Sequence, residues 1–250
     1  MTQPVLWRRA VNSWWLRGLI IIAALGALVI PQINYAPLPD FTQYQDVGQK
    51  KSAFFDYMLP MVIESNRKTL EQRAEIESFV AKSELTAAER KKLSQFARQY
   101  GLGPEQEQTD LLQQLLLRVD KVPASLALSQ AAIESAWGTS RFAVKGNNLF
   151  GQWCYKKGCG LVPLRRNAGS NHEVAKFASV ANSVNAYMRN INTHRAYADL
   201  RANRAQLRQA EQDVTGHLLA ENLLFYSELR EVYVHEVQAV IRINKLAQYD

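Results

Sequence analysis

The sequence is poor in the residues that build metal and nucleotide sites. Its 250 residues include two cysteines, Cys154 and Cys159, and four scattered histidines, His172, His194, His217 and His235. Two cysteines exclude a disulfide-dense scaffold and a four-cysteine zinc site. No H-E-x-x-H occurs, which removes the helix-borne zinc peptidase pattern. Neither G-x-G-x-x-G nor G-x-x-x-x-G-K-[ST] is present, so the glycine-rich phosphate cradles are missing too. No metal and no cofactor are expected. Acids are scarce in the second half: residues 121–250 hold 16 basic and 10 acidic side chains, against 10 and 11 in residues 51–120. A basic excess of this kind suits an anionic partner or a solvated surface. Nucleic acid is not expected as a partner, because no recognition motif of that class is found.

What is present is a globular composition, 47% hydrophobic and 21% charged, behind an apolar N-terminus. Residues 14–30 form an apolar run interrupted by Arg17 and ending at Pro31, at the short end for a membrane-spanning helix. Trp14 and Trp15 suit the interface, and Arg8, Arg9 and Arg17 precede the purely apolar stretch, whereas Asp40 and Asp46 follow it. The positive-inside rule then places residues 1–13 in the cytoplasm and residues 31–250 in the periplasm. Ala36, with Asn34 two residues before it and Pro37 after it, is a poor cleavage site, which favours an uncleaved single-pass signal anchor in the inner membrane over a removed signal peptide. In an exported domain, Cys154 and Cys159 are close enough to close a short loop as a disulfide.

Residues 31–49, with three prolines, read as a linker. Residues 50–119 read as a helical module: one helix from Lys50 through Val62, a second from Thr69 to Ser83, and a third opened by the capping-box spacing Thr86 to Glu89. Residues 120–250 form the next domain. A helix over Ala124–Trp137 stops at Gly138. Three β-like runs follow, Leu149–Tyr155, Gly160–Arg166 and His172–Ala178, and helices resume from Ser183. The fold class is therefore mainly α (α+β), with a small antiparallel β-lobe.

Glu134 is the only acid on the helix Ala124–Trp137, whose other residues are mostly Ala, Leu and Ile, with Gln130 on the same face. Desolvation and the negative end of the helix dipole both raise the pKa of such a carboxyl. A carboxyl kept protonated near neutral pH suits a general acid; a buried structural Glu is the other reading.

The stretch from Leu126 to Ser140 (LALSQAAIESAWGTS), followed by KGNNLFG at 145–151, resembles the two signature blocks of the bacterial endo-β-N-acetylglucosaminidase family (mannosyl-glycoprotein endo-β-N-acetylglucosaminidase-like). Further matches at QWCY (152–155), GCGLVP (158–163), HEVAKF (172–177), NTHRAY (192–197) and around Tyr226 and Tyr233 resemble its Bax branch. The resemblance implies a goose-lysozyme-like fold, with a helical lobe and a β-lobe around a glycan groove. It implies Glu134 as the general acid. It also implies a functional Tyr at Tyr226, suited to orienting an acetamido group. The acid that relatives often carry on a β-lobe strand falls here near Leu164-Arg165-Arg166, where there is none. Glu173 is the only lobe acid that could take that role, with the substrate's own acetamido group as the other route. Asn148, Phe150 and Trp153 are candidates for lining the groove.

Three functions fit these residues. The first is a membrane-anchored β-N-acetylglucosaminidase acting on peptidoglycan glycan strands. The second is a lytic transglycosylase, and the third a wall-binding module that keeps only the fold.

Overall fold

The computed structural model describes residues 35–164, 169 and 171–250. The expected membrane segment at 14–30 lies outside these residues, as do Arg165 and Arg166. No helix among the described residues is long and apolar enough to cross a membrane. Residues 36–250 form one compact unit, mainly helical with a single small sheet.

The stretch read as a linker already packs. Asp40 caps a 3-10 turn at Phe41–Gln43, and Phe41 is buried against Phe54 and Tyr57. Asp46 then caps α1 (Val47–Val80), accepting from Gln49 N at 2.7 Å. The two helices expected between Lys50 and Ser83 are this one helix. Apolar spacing weakens after Val62 because Ser65 and Thr69 hold the buried positions there, not because the helix breaks: no Gly or Pro separates Val62 from Thr69, and Glu64 pairs with Arg67 at 2.7 Å and Lys68 at 3.3 Å on the outer face. Pro60 lies inside α1, where it lacks the N–H that would donate to the Asp56 carbonyl, yet the helix continues because its buried face is held on both sides of the gap. α2 (Ala87–Gln99) has the expected reciprocal capping box between Thr86 and Glu89. α3 (Gln108–Arg118) completes a core with Ile76, Phe79, Leu93 and Phe96.

The centre of the molecule is α4 (Ala124–Glu134), buried along Ala124–Ala132 and packed against α1, α8 (Gly216–Leu219), α9 (Glu231–Ile243) and the 3-10 turn Leu246–Tyr249. Pro123 occupies its N-cap position and offers no side-chain cap. Asp250 takes that task from the far end of the fold, accepting from Ser125 N at 2.9 Å, Ser125 Oγ at 2.8 Å and Gly216 N at 3.0 Å. α8 approaches so closely that a Cβ on Gly216 would lie 2.2 Å from Ser125 Oγ.

α5 (Arg141–Gly146) leads into the sheet, whose strands are β1 (Trp153–Cys154), β2 (Gly160–Leu161) and β3 (Glu173–Ala175) in the order β1-β3-β2, antiparallel. All three are shorter than the runs in the sequence. β1 begins only after Gly151, at φ +65°, and Pro163 has no N–H with which to extend β2. Cys154 and Cys159 are disulfide-bonded across the loop that carries the chain from one edge strand to the other. α6 (Val180–Thr193) and α7 (Ala198–Gln209) follow.

The α3–α4 junction is held by a buried guanidinium. Arg204 of α7 is 1% exposed and donates to the carbonyls of Leu117, Arg118, Asp120 and Lys121 and to Asn192 Oδ1 at 2.8–3.3 Å. The Asp120 carboxylate beside it accepts from Arg208 Nε at 2.9 Å and lies 3.6 Å from Arg73 of α1. Arg204→Ala takes a donor from four backbone carbonyls and a cation from beside the Asp120 carboxylate, which keeps Arg208. It should lower unfolding free energy by about 3–5 kcal/mol in urea denaturation; a loss under about 1 kcal/mol would contradict this account, since that is the worth of an exposed pair.

Candidate active site

α4 ends at Glu134, one turn earlier than its sequence suggests. Ser135 Oγ donates to the Ala131 carbonyl at 2.6 Å and accepts from Gly138 N at 2.8 Å, closing the helix through its own side chain. Ala136 and Trp137 then adopt φ of 50° and 60°, conformations that end a helix. Trp137 turns away to pack on Phe54 and Phe55. This places the Glu134 carboxyl at the helix terminus, half-buried, facing a cleft of about 1360 Å³.

The cleft runs between the 150–155 segment, α6 and the 224–230 segment, with Glu134, Phe150, Trp153, Tyr197, Tyr226 and Arg189 among its walls. The backbone passes close to the acid: a Cβ on Gly151 would lie 3.3 Å from Glu134 Oε2, and the positive φ there already favours glycine. Burial raises the Glu134 pKa above the ordinary carboxylate value; a hydrogen bond from Tyr233 opposes this, and the negative charge of Glu236 adds to the rise.

A chain of hydrogen bonds sets the direction of that bond. Tyr187 of α6 donates to Gln130 Oε1 at 2.6 Å, and Gln130 Nε2 donates to the Tyr233 hydroxyl at 2.9 Å. With Tyr233 already accepting, its own proton is left to point at Glu134. Gln130, Tyr187 and Tyr233 are all buried. Burial is also the main cause that pushes the phenols of Tyr187, Tyr226 and Tyr233 upward and that of Tyr197 to about 12, and the nearby Glu134 charge adds to each. All four therefore stay neutral at physiological pH.

Four of the six residues expected in the groove meet there. Glu134 and Tyr226 share the cleft with Phe150 and Trp153. Tyr226 donates to the Phe150 carbonyl at 3.0 Å and stacks parallel on Tyr233 at 5.4 Å. Phe150 is buried and stacks on Tyr187 at 4.1 Å, which covers one face of its ring. Trp153 is 56% exposed and lies flat on His172 at 4.0 Å, an apolar platform.

The other two residues do not line the cleft. Asn148 is buried: its Oδ1 accepts from Phe150 N and Gln152 N, and its Nδ2 donates to the carbonyls of Gln152 and Ala175 at 2.9 Å. With every polar atom committed, it brackets the turn into β1. Glu173 is 6% exposed, and its two carboxylate oxygens accept from Gly158 N at 2.9 Å and Gly160 N at 2.8 Å, pinning the disulfide loop.

The sequence assigned no role to Tyr187, buried behind the cleft, to Tyr197 on its wall, or to Glu228, an exposed acid on that wall. A signal for the hydrogen-bonded chain exists. Gln130 on an apolar helix and Tyr187 in the α6 stripe Val184–Met188–Ile191 are each polar groups that burial obliges to find partners.

The raised Glu134 pKa has a stability consequence. The fold binds this proton more tightly than the unfolded chain, so the stability from this group is full below the unfolded carboxyl value and falls as pH rises toward the folded one. Glu134→Gln cannot ionise. It should therefore melt above wild type at pH 7 and lose that advantage near pH 4 in calorimetric scans. A Tm difference independent of pH would contradict the burial account.

The family model described as mannosyl-glycoprotein endo-beta-N-acetylglucosaminidase matches residues 110–246. Protein bax of Escherichia coli (strain K12) is 34% identical over 209 residues, covering 83% of this chain and 74% of that protein. No solved structure matches significantly. The matched region contains Glu134, the Gln130–Tyr233 pair and every wall of the cleft named above. The chain belongs to the mannosyl-glycoprotein endo-beta-N-acetylglucosaminidase family, in company with the bax protein.

Proposed function

We propose that the protein is a peptidoglycan hydrolase. In this reading, residues 14–30 anchor it in the inner membrane and residues 31–250 work in the periplasm. It cleaves the β-1,4 bond at N-acetylglucosamine with Glu134 as general acid. The observation that carries the reading is a half-buried carboxyl of raised pKa, aimed by a hydrogen-bonded chain into an open cleft. A helical body beside a small three-stranded lobe, with the cleft walled by both, supports the goose-lysozyme-like arrangement.

The chemistry follows from the placements. Glu134 gives its proton to the glycosidic oxygen as the C1–O bond breaks and the sugar gains oxocarbenium character. Among the described residues Glu228 is the only other acid lining the cleft, and it is exposed. Glu173 is committed to its loop. The nucleophile is then the substrate's acetamido oxygen, which bonds to C1 from the opposite face and is displaced by water as Glu134 takes back a proton. The acetamido N–H needs an acceptor. Tyr226 uses its own proton on the Phe150 carbonyl, so its oxygen is free to accept.

A second reading, lytic transglycosylation, is favoured by the same scarcity of acids, since it too needs one proton donor. Zymography with the full chain on isolated sacculi tests for lysis, and product mass separates the reactions: hydrolysis adds one water per bond cut. Glu134→Gln should reduce cleavage by at least about 10²-fold, the worth of a general acid. Lysis surviving above about a hundredth of wild type would contradict the assignment. Absence of lysis by wild type would leave the non-catalytic wall-binding reading.

The two remaining candidates should divide clearly. Tyr226→Phe should lower kcat by about tenfold or more, the scale of losing one oriented hydrogen bond in a desolvated site. Glu173→Gln should leave kcat within about threefold while lowering Tm, because it loosens the disulfide loop. The reverse order on a defined glycan would restore Glu173 to the chemistry.

A further inference from the structure

A second cavity of about 190 Å³ lies between α1, the end of α2 and α6. Its walls include Lys68 and Gln72 of α1, Tyr100, and Asn185 and Arg189 of α6, and no Asp or Glu lines it. Three of its side chains, Gln72, Lys68 and Arg189, bring donors to it. Gln72 Oε1 accepts from Tyr100 at 2.7 Å and from Gln99 at 3.1 Å, which leaves the Gln72 amide N–H groups for another partner. Lys68 contacts Glu64 at 3.3 Å and keeps two further donors. Arg189 has no acidic partner among the described residues. It lines both this cavity and the main cleft, as does Asn185, so the two spaces meet at these side chains.

A donor-lined cavity with two cations and no acid selects a carboxylate or a similar anion. At about a seventh of the cleft's volume it is too small for a further stretch of glycan. A group bound there while sugars fill the cleft must therefore branch from the chain. We infer that this cavity is a subsite for a carboxylate of the peptide branch carried by the glycan strand, with Arg189 contacting the branch where it leaves the cleft and Lys68 and Gln72 holding its anionic group. The inference rests on the proposed action on peptidoglycan, and it gives α1 and α2 a share in substrate selection.

Two arms test it with the full chain in detergent. In the first, kcat/KM is measured on glycan strands carrying their peptides and on strands stripped by an amidase. Wild type should prefer the peptide-bearing strands by about tenfold, and Lys68→Glu should lose the preference while cleaving stripped strands as wild type does. In the second, the free stem tripeptide L-Ala-γ-D-Glu-diaminopimelate is titrated by NMR into wild type, Glu134→Gln and Lys68→Glu. It should perturb the first two and not the third. Lys68 is exposed, and a melt confirms that the variant folds. The inference stands if either the preference or the tripeptide binding is present in wild type and lost in Lys68→Glu; it is overturned if neither is. Tripeptide binding without cleavage of any strand would keep the subsite and reject the hydrolase reading.

Discussion

The cleft depends on one buried amide. Gln130 joins α4 to α6 and α9 in a single step, accepting from Tyr187 and donating to Tyr233. An amide has distinct ends, so this pairing fixes which way each hydroxyl proton points. The final donor in the series faces Glu134. The acid thus sits between opposed influences: burial and Glu236 favour its proton, and Tyr233 favours its charge. A fully apolar setting would leave the proton bound too tightly to donate, whereas water alone would leave the group ionised. The Gln130 chain holds Glu134 between these extremes while keeping it aimed at the cleft.

The surrounding frame is pinned by guanidinium groups that the charge count alone misreads. Part of the basic excess of residues 121–250 serves the frame. Arg201 caps the end of α6 through the Ile191 and His194 carbonyls, Arg204 holds the α3–α4 junction, and Arg208 pairs with Asp120. From the first half of the chain, Arg73 and Arg118 likewise serve the carbonyls of Leu116, Val119 and Tyr100. Helix C-termini expose carbonyls, and a planar five-donor group can serve several at once. Arg189 and Arg230, exposed on the cleft wall, are better placed to act on a ligand than the buried arginines that make up part of the excess.

Local signals in the sequence carried well where one residue decides the outcome. The Thr86–Glu89 box, the Cys154–Cys159 pairing and the lone acid of α4 were each legible. Two kinds of feature were not. Helix continuity between Val62 and Ile76 rested on a buried face carried by Ser65 and Thr69, small polar residues that apolar spacing does not count. The tasks of Asn148 and Glu173 depended on which backbone amides lay beside them once the lobe had folded. Polar residues in a turn-rich segment fit a ligand and a loop equally well, and only tertiary placement separates the two. The Gln130 chain was half-legible: a buried amide needs partners, but Tyr187 and Tyr233 stand 57 and 103 residues away in the chain.

The central claim is that this setting raises the pKa of Glu134 above the ordinary carboxyl value. Carbon-13 NMR of the Glu134 carboxyl, labelled in wild type and assigned by its loss in Glu134→Gln, measures this directly across a pH titration. The account predicts a midpoint clearly above that of the exposed glutamates in the same spectrum. A Glu134 midpoint at or below theirs would contradict it.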